Sequence, residues 1–332
     1  MKGPIRFGIV GLGFWGKKIL QCLMAIPSVD VCWACDIDAR LAEETAQHIG
    51  VPHWTADYAE MMGDPELDAV CIATPENAHL APVKAALTAG KHVFVEKPIA
   101  ETVSDAEKMI VAASEAQSFI MPGHIMRFDP RYALLRERIA RGAFGRVVSI
   151  NARRHVYYQL GKKRGSPNLA YRLAIHDIDL ALWYTQSPVR RATGHLRRIQ
   201  DPDIVDYVIA TLEHENGALS TLEAAALMPT VDPPITFGIT VIGHKEMYSL
   251  PIFHGIPSLM SLGGGHIPPD PFLWSAVQDM VSGALGSELT YFVNCLIRDI
   301  EPARVTLREA LEALRVAWAI IESGERGEPV EL

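Results

Sequence analysis

The sequence predicts an α/β protein of two domains: a parallel sheet covered by helices, then an α/β domain with a mixed, largely antiparallel sheet. Three observations predict it. Short apolar runs alternate with helical patterns up to about residue 120. A glycine-rich turn joins the first run to the first helix. Beyond residue 123 strand-like segments follow one another directly, with a hairpin signal between two of them.

Residues 5–10 read as the first strand and residues 14–26 as a helix. Residues 29–35 form a second strand, and residues 38–49 a helix with Gly50 where a left-handed cap belongs. Residues 68–73 are a strand, 78–89 a helix stopping at Gly90, and 91–95 another strand. Ser104-Asp105-Ala106-Glu107 reads as a capping box opening the next helix, and residues 119–121 as the strand after it. Runs this apolar, separated by helices, predict strands buried on both faces. A helix at 130–140, ending at Gly142, opens the second part. Strands follow at 146–156, 191–199, 205–214, 218–225 and 236–242, with Asn216-Gly217 as a hairpin turn. Residues 252–271, rich in Gly and Pro, read as a surface loop. Helices at 288–300 and 307–323 close the chain, the second opened by the capping box Thr306-Leu307-Arg308-Glu309 and stopped at Gly324.

The 332 residues suffice for two cored domains, and 49% apolar with 21% charged residues is a globular composition. A net charge of −8 argues against a general nucleic-acid binder. No apolar run reaches the roughly 18 residues of a membrane span. Met1-Lys2-Gly3-Pro4 leads straight into the first strand, without the uncharged core of a signal peptide, so the expected location is the cytoplasm. The five cysteines are too few and too scattered for a disulfide framework. Cys32 and Cys35 form a CxxC, but residues three apart on a strand point to opposite faces and share neither a bond nor a metal.

Gly11-Leu12-Gly13-Phe14-Trp15-Gly16 is a GxGxxG motif between a strand and a helix, the context in which it binds a dinucleotide. Gly11 permits the turn, Gly13 admits a pyrophosphate, and Gly16 lets helix and strand approach. The free N–H groups of the helix start favour the anion. Asp36, followed by Ile37, ends the second strand 20 residues after Gly16. A carboxylate there accepts from ribose hydroxyls and repels the extra phosphate of NADP, and Asp38 adds charge. NAD is therefore the expected cofactor over NADP, with Arg40 as the one nearby cation able to hold a 2′-phosphate. The first domain, residues 1–122, is thus read as a NAD-binding Rossmann domain, and residues 123–332 as a substrate-binding and oligomerisation domain.

Two further loops lie at carboxyl ends of strands, where ligands bind in open α/β sheets. One is Ala73-Thr74-Pro75-Glu76-Asn77-Ala78-His79, the other Val95-Glu96-Lys97-Pro98. With the glycine motif and His176-Asp177-Ile178-Asp179, these segments resemble the Gfo/Idh/MocA oxidoreductases, along nearly the whole chain. The resemblance implies that Ala73, Thr74, Pro75, Asn77 and His79 line the nicotinamide half of the cofactor. It implies that Glu96 binds ribose hydroxyls, that Lys97 reaches the reacting hydroxyl, and that the Lys97–Pro98 bond is cis. Arg127, in HIMRFDPRY, would sit near cofactor or substrate, a plain salt bridge being the competing reading. Tyr171, Arg172 and Asp177 would face the substrate.

Lysine suits proton transfer, because burial and a cationic nicotinamide lower its pKa from about 10.4. The family pattern of an Asp, a Gly two residues on and a His two beyond that is incomplete here. His176 matches, but Arg172 stands for the Asp and Ala174 for the Gly. Lys97 and His176 are therefore expected to carry the proton, with Arg172 binding an anionic substrate group; a salt bridge to Asp177 or Asp179 is the competing role. A metal site at residues 176–179 lacks a further defined ligand set. The run Arg153, Arg154, Lys162, Lys163 and Arg164 could hold a phosphate or carboxylate, or simply be solvated. The expected activity is hydride transfer between NAD and a secondary alcohol or ketone of a sugar, sugar derivative or cyclitol, by a homodimer or homotetramer. The alternatives are an imine or enone reductase, or a catalytically silent nucleotide-binding regulator.

Overall fold

The computed structural model describes residues 3–157, 168–228, 235–250 and 283–332, together with four two-residue strands between 259 and 281. The expected loop at 252–271 and the residues Lys162, Lys163 and Arg164 lie outside the described side chains.

The chain forms two compact units, Met1–Asp129 with Pro271–Leu311, and Pro130–Asp270 with Glu312–Leu332. The sequence predicts a single division, at 122/123. In the structure the first unit also takes in a late segment, because an apolar helix there completes its core.

The first unit holds a six-stranded parallel sheet: β1 (Ile5–Val10), β2 (Val29–Cys35), β3 (His53–Thr55), β4 (Ala69–Ile72), β5 (His92–Glu96) and β6 (Ile120–Gly123), in the order β3-β2-β1-β4-β5-β6. Its helices are α1 (Phe14–Met24), α2 (Ala39–Ile49), α3 (Tyr58–Met62), α4 (Leu80–Thr88) and α5 (Val103–Glu115). Helix α2 is capped by the Asp38 carboxylate and closed by Gly50 at φ 86°. The N-cap of α5 is Thr102, whose hydroxyl accepts from the Asp105 N–H at 3.1 Å. The expected cap at Ser104 lies two residues late, because Thr-x-x-Asp repeats the same pattern upstream. Strand β3 and helix α3 are not predicted by the sequence, being too short to show a period. Late in the chain, Phe292 of Ala284–Arg298 is fully buried, with its ring centroid 6.2 Å from Phe7 of β1 and 6.0 Å from Phe94 of β5.

The second unit is built on a seven-stranded mixed sheet. Helix α6 (Pro130–Ala140) leads to β7 (Val147–Tyr157), then α7 (Ile175–Thr185), β8 (Val189–Arg197), β9 (Tyr207–His214), β10 (Leu219–Met228), β11 (Ile235–Gly243) and β12 (Met247–Leu250). The order is β12-β11-β7-β10-β9-β8, with Val330–Glu331 beside β8. Strands β7 and β10 run parallel and the other pairs antiparallel. Gly217 turns the β9–β10 hairpin at φ 84°. The last helix, Leu307–Arg326, runs through Gly324 instead of stopping there. A side chain at Gly324 would meet Leu196, so this glycine serves close packing rather than termination. Among the described residues no helix is long and apolar enough to cross a membrane.

Candidate functional site

In the first unit the pairing register decides what comes together. Val10 of β1 pairs with Ile72 of β4, and Ile72 with Val95 of β5. The three strand ends are level, so Gly11, Ala73 and Glu96 form the next layer at one edge of the sheet. The strand order also reverses between β1 and β4, the crevice at which open α/β sheets bind ligands.

Gly11 sits at φ 91°, and a Cβ there would lie 2.8 Å from the Ala73 carbonyl and the Thr74 N. A Cβ on Gly16 would overlap the Gly11 carbonyl, whereas one on Gly13 would meet nothing within 4 Å. Gly13 caps α1 without a side-chain hydrogen bond, and the first turn carries no acid. The start of α1 therefore offers N–H donors and open space to an anion.

The Asp36 carboxylate is aimed by two backbone donors, Leu12 N–H at 2.7 Å and Asp38 N–H at 3.0 Å. Each oxygen keeps a further lone pair for a ribose hydroxyl. Asp38, expected as additional charge at this site, accepts from Arg40 and Leu41 N–H as the cap of α2. The Arg40 guanidinium lies along its own helix, 2.8 Å from Glu44. Ile37 and Phe14 are exposed, and Trp15 stands edge-on to Phe14 at 5.7 Å.

In the loop after β4, the Thr74 hydroxyl is buried with no hydrogen-bond partner among the described residues. Pro75 and Asn77 are exposed. His79 does not line this opening. It is 1% exposed, with Nε2 2.9 Å from the Thr74 carbonyl and Nδ1 3.3 Å from that of Ile99. Burial lowers its pKa and favours the neutral ring. His79 thus braces two site loops from beneath, a correction to its expected place against the cofactor.

Glu96 is buried, and burial raises its carboxyl pKa to about 7, against the attraction of Lys97. Its Oε2 accepts from the Lys97 N–H at 3.1 Å. Gly123, opposite Glu96 on β6, leaves room for it: a Cβ there would come within 3.3 Å of the carboxyl. Nothing in the local sequence signals this role of Gly123. Lys97 is half-buried, and the Lys97–Pro98 bond is cis. Cys32 and Cys35 are free and buried in β2, and burial pushes the Cys35 thiol up to about 12.

Arg127 follows β6 in the same unit, in the turn Ile125–Phe128. Its side chain is 1% exposed and donates to Glu309 at 2.8 Å and to the Arg304 carbonyl at 2.8 Å. The salt-bridge reading therefore holds over a place against cofactor or substrate. A short turn after β6 carries Arg127 into the capping box of the last helix, where Glu309 also accepts from Thr306.

In the second unit, His176 stands in the first turn of α7, after a π-helical turn at Ala170–Ala174. Arg172 and His176 are half-buried and four residues apart, hence on one side of that segment. Tyr171 is buried, its ring 6.1 Å from Trp318. Asp177 is not open to a substrate. Both its oxygens are held by Arg154, Nε at 3.0 Å and Nη2 at 2.8 Å. Burial disfavours the Arg154 charge, but the Asp177 carboxylate outweighs it and raises the pKa. Strand alternation sends Arg153 to the other face of β7, 3.6 Å from Glu223, so the expected basic cluster divides. Burial along β7 alternates from Ile150 through Ala152 and Arg154 to Val156, a signal that could have placed Arg154 inside.

Residues 5–124 match the family model described as an oxidoreductase family with an NAD-binding Rossmann fold, and residues 132–249 match the GFO/IDH/MocA C-terminal domain. The scyllo-inositol 2-dehydrogenase (NAD(+)) of Bacillus subtilis is 26% identical across 100% of this chain and 97% of its own. The myo-inositol 2-dehydrogenase of Thermotoga maritima is 28% identical over 66% of this chain and 68% of its own. Scyllo-inositol dehydrogenase from Lactobacillus casei, solved with NAD(H) and scyllo-inositol, shares the fold at TM-score 0.84 and 22% identity, covering 99% of each chain. The level ends of β1, β4 and β5, with a glycine cradle and an aimed carboxylate, agree with the two family models that match in tandem: this chain belongs to the Gfo/Idh/MocA oxidoreductases and carries their NAD-binding Rossmann fold.

Proposed function

We propose that the chain is an NAD-dependent dehydrogenase acting on a secondary alcohol or ketone of a sugar, sugar derivative or cyclitol. The observation that carries this reading is the register placing the glycine turn, Thr74 and Glu96-Lys97 at one edge of the parallel sheet. The residues fit NAD: open space over Gly13, a buried Thr74 hydroxyl awaiting a partner, and an Asp36 carboxylate with spare lone pairs. Bound NAD supplies the hydride acceptor.

The chain's own residues supply orientation and proton transfer. Gly13 and the start of α1 hold the pyrophosphate, Asp36 and Glu96 the two riboses. Lys97, half-buried at the end of β5, takes the hydroxyl proton as hydride leaves. His176 is the second proton carrier. Arg172 binds an anionic substituent of the substrate. The named activities of the inositol dehydrogenase relatives support a polyol substrate. The active form is a homodimer or homotetramer, which light scattering on the purified protein tests.

The decisive experiment is NADH formation with NAD and a panel of inositols, neutral sugars, sugar acids and sugar phosphates, run with Lys97→Ala beside wild type. Turnover that falls by about 100- to 10,000-fold in the variant, with NAD binding retained, is the expected result. Equal turnover in both proteins would remove Lys97 from the chemistry. A second reading, a nucleotide-binding regulator, is favoured by Arg172 in place of the family's Asp. NAD binding without turnover of any panel member would point to it or to a substrate outside the panel.

A further inference from the structure

An ion pair buried in the second unit begins one residue from His176. We propose that Arg154 and Asp177 are positioning residues that set the direction of the His176 side chain, an inference that rests on the proton-transfer role assigned to it above.

Both side chains of the pair are 4% exposed. The two bonds run in parallel, Nε to Oδ2 and Nη2 to Oδ1, at 3.0 and 2.8 Å. A fork of this kind fixes rotation as well as distance, which a single contact does not. Its base is rigid. Strand β7 is flanked on both sides, with Arg154 paired to Phe237 of β11 and to Ala224 of β10. The Arg154 guanidinium also lies 5.4 Å from the Phe237 ring centroid.

The other end of the fork needs that support. Asp177 occupies the first turn of α7, directly after the π-helical turn at Ala170–Ala174. There the hydrogen-bond register changes, and the helix start is fixed least by its own backbone. Clamping Asp177 to the sheet fixes the Cα–Cβ direction of its neighbour His176. A buried ion pair is roughly neutral in stability against apolar side chains of similar size. What it adds is geometry, and that geometry is applied beside a proton carrier.

Four variants of the full chain test this. Arg154→Lys keeps the charge and loses the fork. Arg154→Met with Asp177→Leu removes both charges, and with them the hydrogen bond between Arg154 and the buried Tyr132 side chain. Asp177→Asn keeps the shape, and His176→Ala is the reference. The first readout needs no substrate: the His176 ring proton resonance, identified by its absence in His176→Ala. It is expected to be single in wild type and split or broadened in Arg154→Lys and in the double variant, although thermal unfolding shows the double variant folded. The second readout is turnover of the preferred panel alcohol. The value of kcat is expected to fall by roughly 10- to 100-fold in Arg154→Lys, Asp177→Asn and the double variant, with the Kd for NAD changed less than about twofold. A double variant that folds and keeps wild-type kcat and a single ring signal would show the pair to be merely structural, and would overturn the proposal. Full activity in His176→Ala would instead overturn the proton-transfer reading, while the ring signal still judges the pair.

Discussion

Glu96 meets opposing demands. Its carboxyl must ionise to accept from ribose hydroxyls, yet burial lifts its pKa from 4.5 to about 7. The folded protein therefore holds a proton that the unfolded chain has lost, and stability falls as pH rises from 4.5 towards about 7. At about 1.4 kcal/mol per pKa unit the loss is on the order of 3 kcal/mol. Glu96→Gln is expected to remove most of that dependence, making the NAD-free protein more stable than wild type at pH 8 but not at pH 4.5. Urea unfolding at both values checks it. NAD affinity of wild type should rise through about pH 7, and Glu96→Gln should flatten that rise; equilibrium titration reads both. Arg127 shows the opposite balance, a charge buried for architecture. Glu309→Ala leaves it without its carboxylate and is expected to cost about 2–3 kcal/mol, tempered by the partial exposure of Glu309. An unchanged denaturation midpoint would contradict this. The sequence identified Arg127 as a charge near the sheet's functional edge, but a partner 182 positions away is invisible without the fold.

At the scale of elements, helix and sheet are joined by missing side chains. Gly194 of β8 donates its N–H to the Ser323 hydroxyl at 2.9 Å, and a Cβ there would come within 3.1 Å of the Ile320 carbonyl carbon. Gly194→Ala therefore has to push the last helix off the sheet. A loss of about 1–3 kcal/mol is expected, measured as a lower thermal midpoint. Alternation and capping chemistry made most elements legible: β1, β2 and α6 have the bounds the sequence suggests, and Gly50 closes α2 as expected. What misled was local ambiguity. Thr102 and Ser104 both present a hydroxyl before a helical run, and the helix starts from the first of them. Gly324 looked like a terminator, because a helix needing a glycine for close packing writes the same letter.

At the scale of the molecule, the first unit is discontinuous in sequence. Phe292 fills the space beside Phe7 and Phe94, so residues 1–129 alone lack part of their core. Expressed by itself, that fragment is expected to bind a hydrophobic dye and to melt without a sharp transition, whereas the full chain unfolds cooperatively. A sharp transition in the fragment would show that the late helix is dispensable. NAD, binding the native state alone, should add about 2.7 kcal/mol to the stability of the full chain at 100 times its Kd.

The sequence by itself determined the α/β class, the parallel order of the first unit's elements, the dinucleotide turn and the Glu96-Lys97-Pro98 loop. Each rests on residues near one another in the chain, where hydrophobic period, capping and glycine spacing act directly on the backbone. Only the tertiary structure decided which charges are buried partners and which stay open. His79 went beneath the loops, Arg127 to Glu309, and Asp177 to Arg154 rather than to Arg172 or a substrate. The physical reason is that desolvation makes a buried charge take whichever partner the fold brings within about 3 Å, and such encounters depend on strand register and helix placement rather than on sequence distance.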